Sequence, residues 1–136
     1  MEISKTDIES IFRSFESKDI DLIMTHFADD ATLIDPHYPI LEMRGKEMIK
    51  KGLTWGLKPL IKASFTTEKL WVDGNEGAIK LITNHVFKGG NKLDTIQVFL
   101  FAFNDEKKIT YLQSFVPYRP PGLSGLIPRI TGLFWK

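Results

Sequence analysis

The chain has 136 residues, 43% of them hydrophobic, and its 18 basic and 17 acidic side chains leave a formal net charge of +1. That length and apolar content suit one globular domain with its own core, and the near-even charge argues against a broad nucleic-acid-binding surface. There is no cysteine, which excludes disulfides, thiolate metal sites and cysteine nucleophiles and fits a reducing compartment.

The first residues, MEISKTD, lack the basic and apolar regions of a signal peptide. The longest wholly apolar run, VFLFAF at 98–103, is too short to span a bilayer. A cytoplasmic protein is expected, with no membrane as partner. Ile8, Ile11, Phe12 and Phe15 repeat at helical spacing, and Thr6 with Glu9 has capping-box spacing, so a first helix is predicted from about Thr6 to Ser17 or Lys18. Asp19 can cap a second helix, whose apolar positions are Ile20, Ile23, Met24 and Phe27. This helix runs into the decapeptide FADDATLIDP at 27–36 and is expected to stop at the Asp29–Asp30 pair.

That decapeptide organises the reading. A short apolar run, Ala31 to Ile34, ends on Asp35, which is followed by Pro36. A carboxylate at the inner end of an apolar strand loses solvation, which disfavours its charged form. Such an environment suits a general base working near neutral pH. The alternative is that Asp35–Pro36 simply starts a turn.

Pro36, His37, Tyr38 and Pro39 predict a loop closed by Gly45, and Met48, Ile49, Leu53 and Trp55 predict a third helix over 46–57, ended by Pro59. Gly52 and Gly56 weaken its second half. From residue 61 the period becomes strand-like. Strands are predicted over 61–72, 78–87, 93–103 and 108–116, with turns at 73–77, 89–91 and 104–107. Helices followed by successive antiparallel strands define an α+β class. In the third long strand Thr95, Gln97, Phe99, Phe101 and Phe103 share one face, and Asp94, Ile96, Val98, Leu100 and Ala102 share the other. Both faces are largely apolar, so cover on both sides is expected, by helices on one and a second subunit on the other.

The tail, 118–136, carries three basic and no acidic residues with several large apolar ones. It is read as an extension to a domain spanning 1–117, docked in a groove of its own subunit or a neighbour. The alternative is a weak, reversible anchor to an anionic membrane.

Together, the KDID segment at 18–21 between two helices, the decapeptide, Gly45 before the third helix and the four-strand run with its FAFN hairpin at 101–104 resemble the nuclear transport factor 2-like superfamily, in particular its SnoaL-like and ketosteroid isomerase-like branches. The similarity covers about residues 6–117. It implies a cone-shaped curved antiparallel sheet wrapped around three N-terminal helices, a deep apolar cavity, and a homodimer packed sheet to sheet. It also implies that Asp35 is the base that moves a proton next to a carbonyl. Ketosteroid isomerases stabilise the resulting oxyanion with a tyrosine and a protonated aspartic acid. Here Ile11 and Phe99 occupy those positions, and neither donates a hydrogen bond. The acidic residue that polyketide cyclases carry on the last strand is absent around Gln113 and Ser114.

His85 is the ionisable strand residue expected to face Asp35 and complete a catalytic pair, with a histidine satisfied by a neighbour as the alternative. The ligand-binding wall is assigned to Phe12, Phe15, Trp55, Thr83, Phe87, Phe99, Phe101, Leu112 and Ser114, although the phenylalanines could equally be core packing. His26 reads as a helix-end residue and His37 as a loop residue open to water, with a place at the cavity mouth beside Tyr38 as the alternative. The histidines lack a zinc-motif spacing, so neither metal nor cofactor is expected. Two functions fit: a protein that binds an apolar or aromatic small molecule, acting as an isomerase, cyclase or dehydratase with Asp35 as base, or a non-catalytic binding or assembly module using its sheet face and tail.

Overall fold

The computed structural model describes residues 2–117 and 131–135. Helix α1 (Lys5–Ser17) is capped by Ser4 rather than Thr6. The Ser4 hydroxyl accepts from the Asp7 amide at 3.1 Å, and the Asp7 carboxylate accepts from the Ser4 amide at 2.9 Å. This reciprocal pair satisfies donors that a helix start leaves orphaned. Ile8, Ile11, Phe12 and Phe15 are buried, as their spacing requires. Lys18, in the left-handed region at φ 57°, closes the helix, and Asp19 caps α2 (Ile20–Met24).

Phe27 does not continue α2. It opens strand β1 (Phe27–Ile34), so the helix ends before the acidic pair rather than at it. The reason is tertiary: the Ile109 amide donates to the His26 carbonyl at 2.7 Å, and Phe27 pairs in parallel with Ile109 at the start of β7 (Ile109–Phe115). The loop after Pro36 contains a short strand, β2 (Glu42–Arg44), antiparallel to β1. Helix α3 (Lys46–Leu57) occupies the predicted span. The single strand expected over 61–72 is two, β3 (Leu60–Lys62) and β4 (Phe65–Asp73), which pair successively with β5 (Glu76–Phe87). At the break between them the Ser64 amide donates to the His85 ring (3.2 Å), while Glu16 accepts from the Phe65 amide (2.8 Å) and Arg13 donates to the Phe65 carbonyl (2.9 Å). Side chains thus satisfy backbone groups that the bend takes out of the ladder.

With β6 (Lys92–Phe103), the strands form one curved seven-stranded sheet ordered β2-β1-β7-β6-β5-β3, β4 also pairing with β5. All pairs are antiparallel except β1 with β7. This is the expected α+β class, with α1 packed on β4 and α3 on β1 and β2. The inner face carries Ile79, Leu81 and Thr83 of β5, Thr95 to Phe103 at alternate positions of β6, and Leu112 and Ser114 of β7, all buried. The outer face leaves Trp71, Ile82, Ile96, Leu100 and Phe115 exposed. No helix among the described residues is long and apolar enough to cross a membrane.

The two glycines of α3 are packing positions. A Cβ on Gly52 would lie 2.3 Å from the sulfur of buried Met43, and one on Gly56 would lie 2.5 Å from Tyr38 Cε1 and 3.1 Å from its hydroxyl. Gly56 lets the Tyr38 phenol lie against the helix, beside Trp55 at 6.3 Å between ring centroids. Gly56→Ala is therefore expected to lower stability by about 1–3 kcal/mol, the range for overpacking, and to change the near-ultraviolet circular dichroism of the Tyr38–Trp55 pair. An unaltered spectrum and urea midpoint would show that the ring yields freely.

Most of the tail, residues 118–130 and 136, lies outside the described residues, and with it most of the reading of the extension. Residues 131–135 rest on the same subunit. Gly132 approaches the Pro39 backbone so closely that a Cβ would sit 2.5 Å from its carbonyl oxygen, and the Lys51 ammonium lies 4.4 Å from the centroid of the Trp135 ring.

Candidate functional site

Asp35 follows the last residue of β1, and only 6% of its surface is exposed. The side chain is buried, and the Asp–Pro step also starts a turn. Its Oδ1 accepts from the His37 amide at 2.9 Å, the two-residue reach of an Asx turn, and is 2.8 Å from His37 Nδ1. Because an ionised carboxylate oxygen can only accept, Nδ1 carries the proton there. The Asp35 amide donates to the Leu41 carbonyl at 3.0 Å, and the Tyr38 amide donates to the Asp35 carbonyl at 3.3 Å. Asp35 Oδ2 has no partner among the described residues, and since no buried side-chain oxygen among them lacks one, Oδ2 is not sealed. One oxygen is clamped and the other is open.

Two further groups lie within electrostatic reach. Burial raises the Tyr38 hydroxyl above its ordinary value, and the Asp35 charge adds to this, so it stays protonated. Burial lowers His85 to about 4, with His37 adding to the shift and the Asn84 backbone, Asp35 and Glu16 opposing it. His85 Nδ1 accepts the Ser64 amide, which places the proton of the neutral ring on Nε2. At pH 7 neither Tyr38 nor His85 brings a cation to Asp35.

A line of buried polar side chains crosses the inner face beside these groups. Thr83 Oγ1 donates to Gln97 Oε1 at 2.5 Å, and Gln97 Nε2 donates to Ser114 Oγ at 3.0 Å. Ile34 of β1 pairs in parallel with Gln113 of β7. Asp35 and Ser114 come next along these two strands, and both are buried. The line therefore runs from β5 through β6 to the rung beside Asp35.

Of the wall assigned from sequence, Phe12 packs on Phe15, Phe65 and Phe99 at centroid distances of 6.2, 5.3 and 5.3 Å, and Phe65 meets the His85 ring edge-on at 4.9 Å. Trp55 stands beside Tyr38, and Phe87 is half-buried against the core. Phe101 and Leu112, paired with each other, lie one pleat beyond the Phe99–Ser114 pair and belong to the deeper core, with Phe101 meeting Phe103 edge-on. Among the described residues no group of three or more potential ligands is placed to hold a metal ion.

The sequence points to three of these residues only weakly, to His37 and Tyr38 as an alternative place at the cavity mouth and to Gln97 as a position sharing a strand face with Phe99. His37 is not open to water: its side chain is 20% exposed and bonded to Asp35. The Asp-x-His spacing was the signal, because an Asx turn brings the second residue back to the carboxylate. Tyr38 had no signal of its own beyond the loop. Gln97 was visible as the amide on a face shared with Thr95 and three phenylalanines.

The SnoaL-like domain model matches residues 8–112, and the chain belongs to that family. No curated protein matches the sequence. The fold is shared with the Δ5-3-ketosteroid isomerase of a Mycobacterium species (22% identity over 81% of this chain and 89% of that one, TM-score 0.73). It is shared with a Mycobacterium tuberculosis protein crystallised with estradiol-17β-hemisuccinate (19% identity over 81% and 90%, TM-score 0.71). A third similar structure is the epoxide hydrolase/cyclase-like enzyme SalBIII of pyran ring formation in salinomycin (19% identity over 89% and 92%, TM-score 0.71).

Proposed function

We propose that the protein binds a small, largely apolar carbonyl compound and moves a proton on it, with Asp35 as the base. The observation that carries this reading is the buried Asp35 with one carboxylate oxygen held by His37 and the other open. A proton leaves the carbon beside the ligand's carbonyl for Asp35 Oδ2. The C–H electron pair becomes the enolate, whose oxygen takes the charge, and the protonated Asp35 returns the proton at a different carbon. Atoms balance without a co-reactant, which is what a cofactor-independent isomerase needs. That similar structures include a ketosteroid isomerase and a steroid complex supports the ligand class. The test is a panel of ketosteroids and polyketide-like enones, with binding followed by tryptophan fluorescence and turnover by product analysis. Binding with isomerisation supports the reading; failure to bind any of the panel sinks it.

A second reading, assembly, is favoured by the outer sheet face. Ile82 pairs with Ile96 and Val98 with Phe115 across neighbouring strands, giving a contiguous apolar patch of the kind that is normally covered. We assign it to a second copy of this chain. Leu100→Lys, on that face, is expected to convert dimer to monomer in sedimentation with the fold intact by circular dichroism. A wild-type protein that sediments as a monomer at every concentration removes this reading.

A further inference from the structure

The inner face of the sheet is largely apolar, and one line of buried polar side chains across it has hydrogen-bond donors to spare. Thr83, Gln97 and Ser114 are 0%, 4% and 4% exposed, and such burial costs free energy unless the groups are bonded. Each has a partner, but the donors are not exhausted. Gln97 has two amide hydrogens and gives one, to Ser114; the Ser114 hydroxyl hydrogen is given to no described residue. Thr83 sets the direction. By donating to Oε1 it keeps the amide oxygen on the β5 side and the NH2 on the β7 side, toward Asp35. The buried side chains of the helices that cover the sheet are apolar apart from Ser14, whose hydroxyl donates to the Ile11 carbonyl within its own helix. The two spare hydrogens are buried on the inner face, beside the rung that carries Asp35.

We propose that Gln97 and Ser114 form the donor pair that receives the ligand's carbonyl oxygen, with Thr83 as the positioning residue that holds the amide in the donating orientation. This rests on the reading of Asp35 as the base and narrows the ligand class. Neutral donors facing an apolar wall fit an uncharged ligand with an oxygen acceptor next to the carbon that loses its proton, as in an enone or a β,γ-unsaturated ketone, and disfavour a carboxylate or phosphate, whose charge they leave unmatched. Tyr38 and His85 are poorer candidates for this oxygen. The Tyr38 phenol lies against Gly56 and Trp55, and the His85 ring is tied to Ser64 at the bend. The Gln97–Ser114 pair supplies the hydrogen-bond donation that Ile11 and Phe99 cannot.

The experiment uses progesterone labelled with 13C at its conjugated C3 carbonyl, bound to the full-length protein and read by infrared difference spectroscopy. In the wild type the labelled band should move to lower wavenumber than in an apolar solvent. In Ser114→Ala and in Gln97→Met it should move back toward the solvent position, with affinity falling by up to about tenfold, the worth of one neutral hydrogen bond. In Thr83→Val the freed amide can turn over, so two bands are expected. Should Gln97→Met fail to fold, Ser114→Ala, which removes one buried atom, carries the test alone. Progesterone bound by the wild type with an unshifted band, or a shift that survives Ser114→Ala, overturns the donor assignment and leaves the Asp35 reading standing. Absence of progesterone binding together with absence of binding across the enone panel overturns both.

Discussion

Asp35→Asn should lower turnover on a responsive ketone by about 10²–10⁴-fold, the usual contribution of a positioned general base, while ligand affinity changes little. The substitution is chosen for what it keeps. Asparagine places an amide oxygen where Oδ1 now accepts the His37 amide at 2.9 Å and Nδ1 at 2.8 Å, so the Asx turn has no reason to open. At the second position an NH2 replaces the open Oδ2, and an acceptor becomes a donor that cannot take a proton from carbon. Asp35→Ala would be a poorer test, because it frees the His37 amide and ring together and so confounds base with turn. The measurement is kcat and Kd for both proteins on the same ketone, with the His37 ring resonances as a check on the turn. Turnover within a few-fold of wild type, with the turn intact, assigns the base elsewhere and leaves Asp35 as the start of a loop.

The parts of this site that sequence shows are those set by local periodicity. The inner-face alternation of β6 put Gln97 with Phe99 and Phe101, and the apolar spacing of 8–15 put Phe12 and Phe15 on one helical stripe; both hold. What periodicity conceals is any position with two local solutions. Phe27 has helical spacing, yet the parallel pairing with Ile109 recruits it to β1, and the competing partner lies more than eighty residues away in sequence. Gly52 and Gly56 weaken a helix by propensity, and only the neighbours Met43 and Tyr38 explain why glycine is used there. The break at Ala63–Ser64 interrupts a continuous β-like run, because the chain must bend to pair twice with one long strand. The site shares this property. Asp35 stands out in the sequence, whereas His37, Tyr38 and Gln97 reach it through a turn, a helix glycine and a strand register.

Acidification from pH 7 to pH 4.5 is expected to destabilise the fold, with up to about 3 kcal/mol of the loss due to His85. The sign follows from proton counting. Burial holds the His85 ring at about 4 in the folded chain against an ordinary 6.5. Between those values the unfolded chain binds a proton that the folded chain does not, so stability rises with pH across the window and is lost as pH falls from about 6.5 toward 4. His26 is lowered in the same direction, by burial and then by Lys108, and contributes to the same window. Asp7, lowered chiefly by the Ser4 amide, adds its loss only below the ordinary carboxylate range. His85→Asn separates these contributions. The asparagine Oδ1 can stand where Nδ1 accepts the Ser64 amide at 3.2 Å, and it does not titrate. The variant should lose some stability at pH 7 from the packing it gives up against Phe65, and its urea-derived stability should then fall far less between pH 7 and 4.5 than that of the wild type, leaving the His26 contribution. Parallel pH profiles for the two proteins would place the proton uptake elsewhere, and would mean that the ring at position 85 takes up its proton in the native fold over the same pH range as in the unfolded chain.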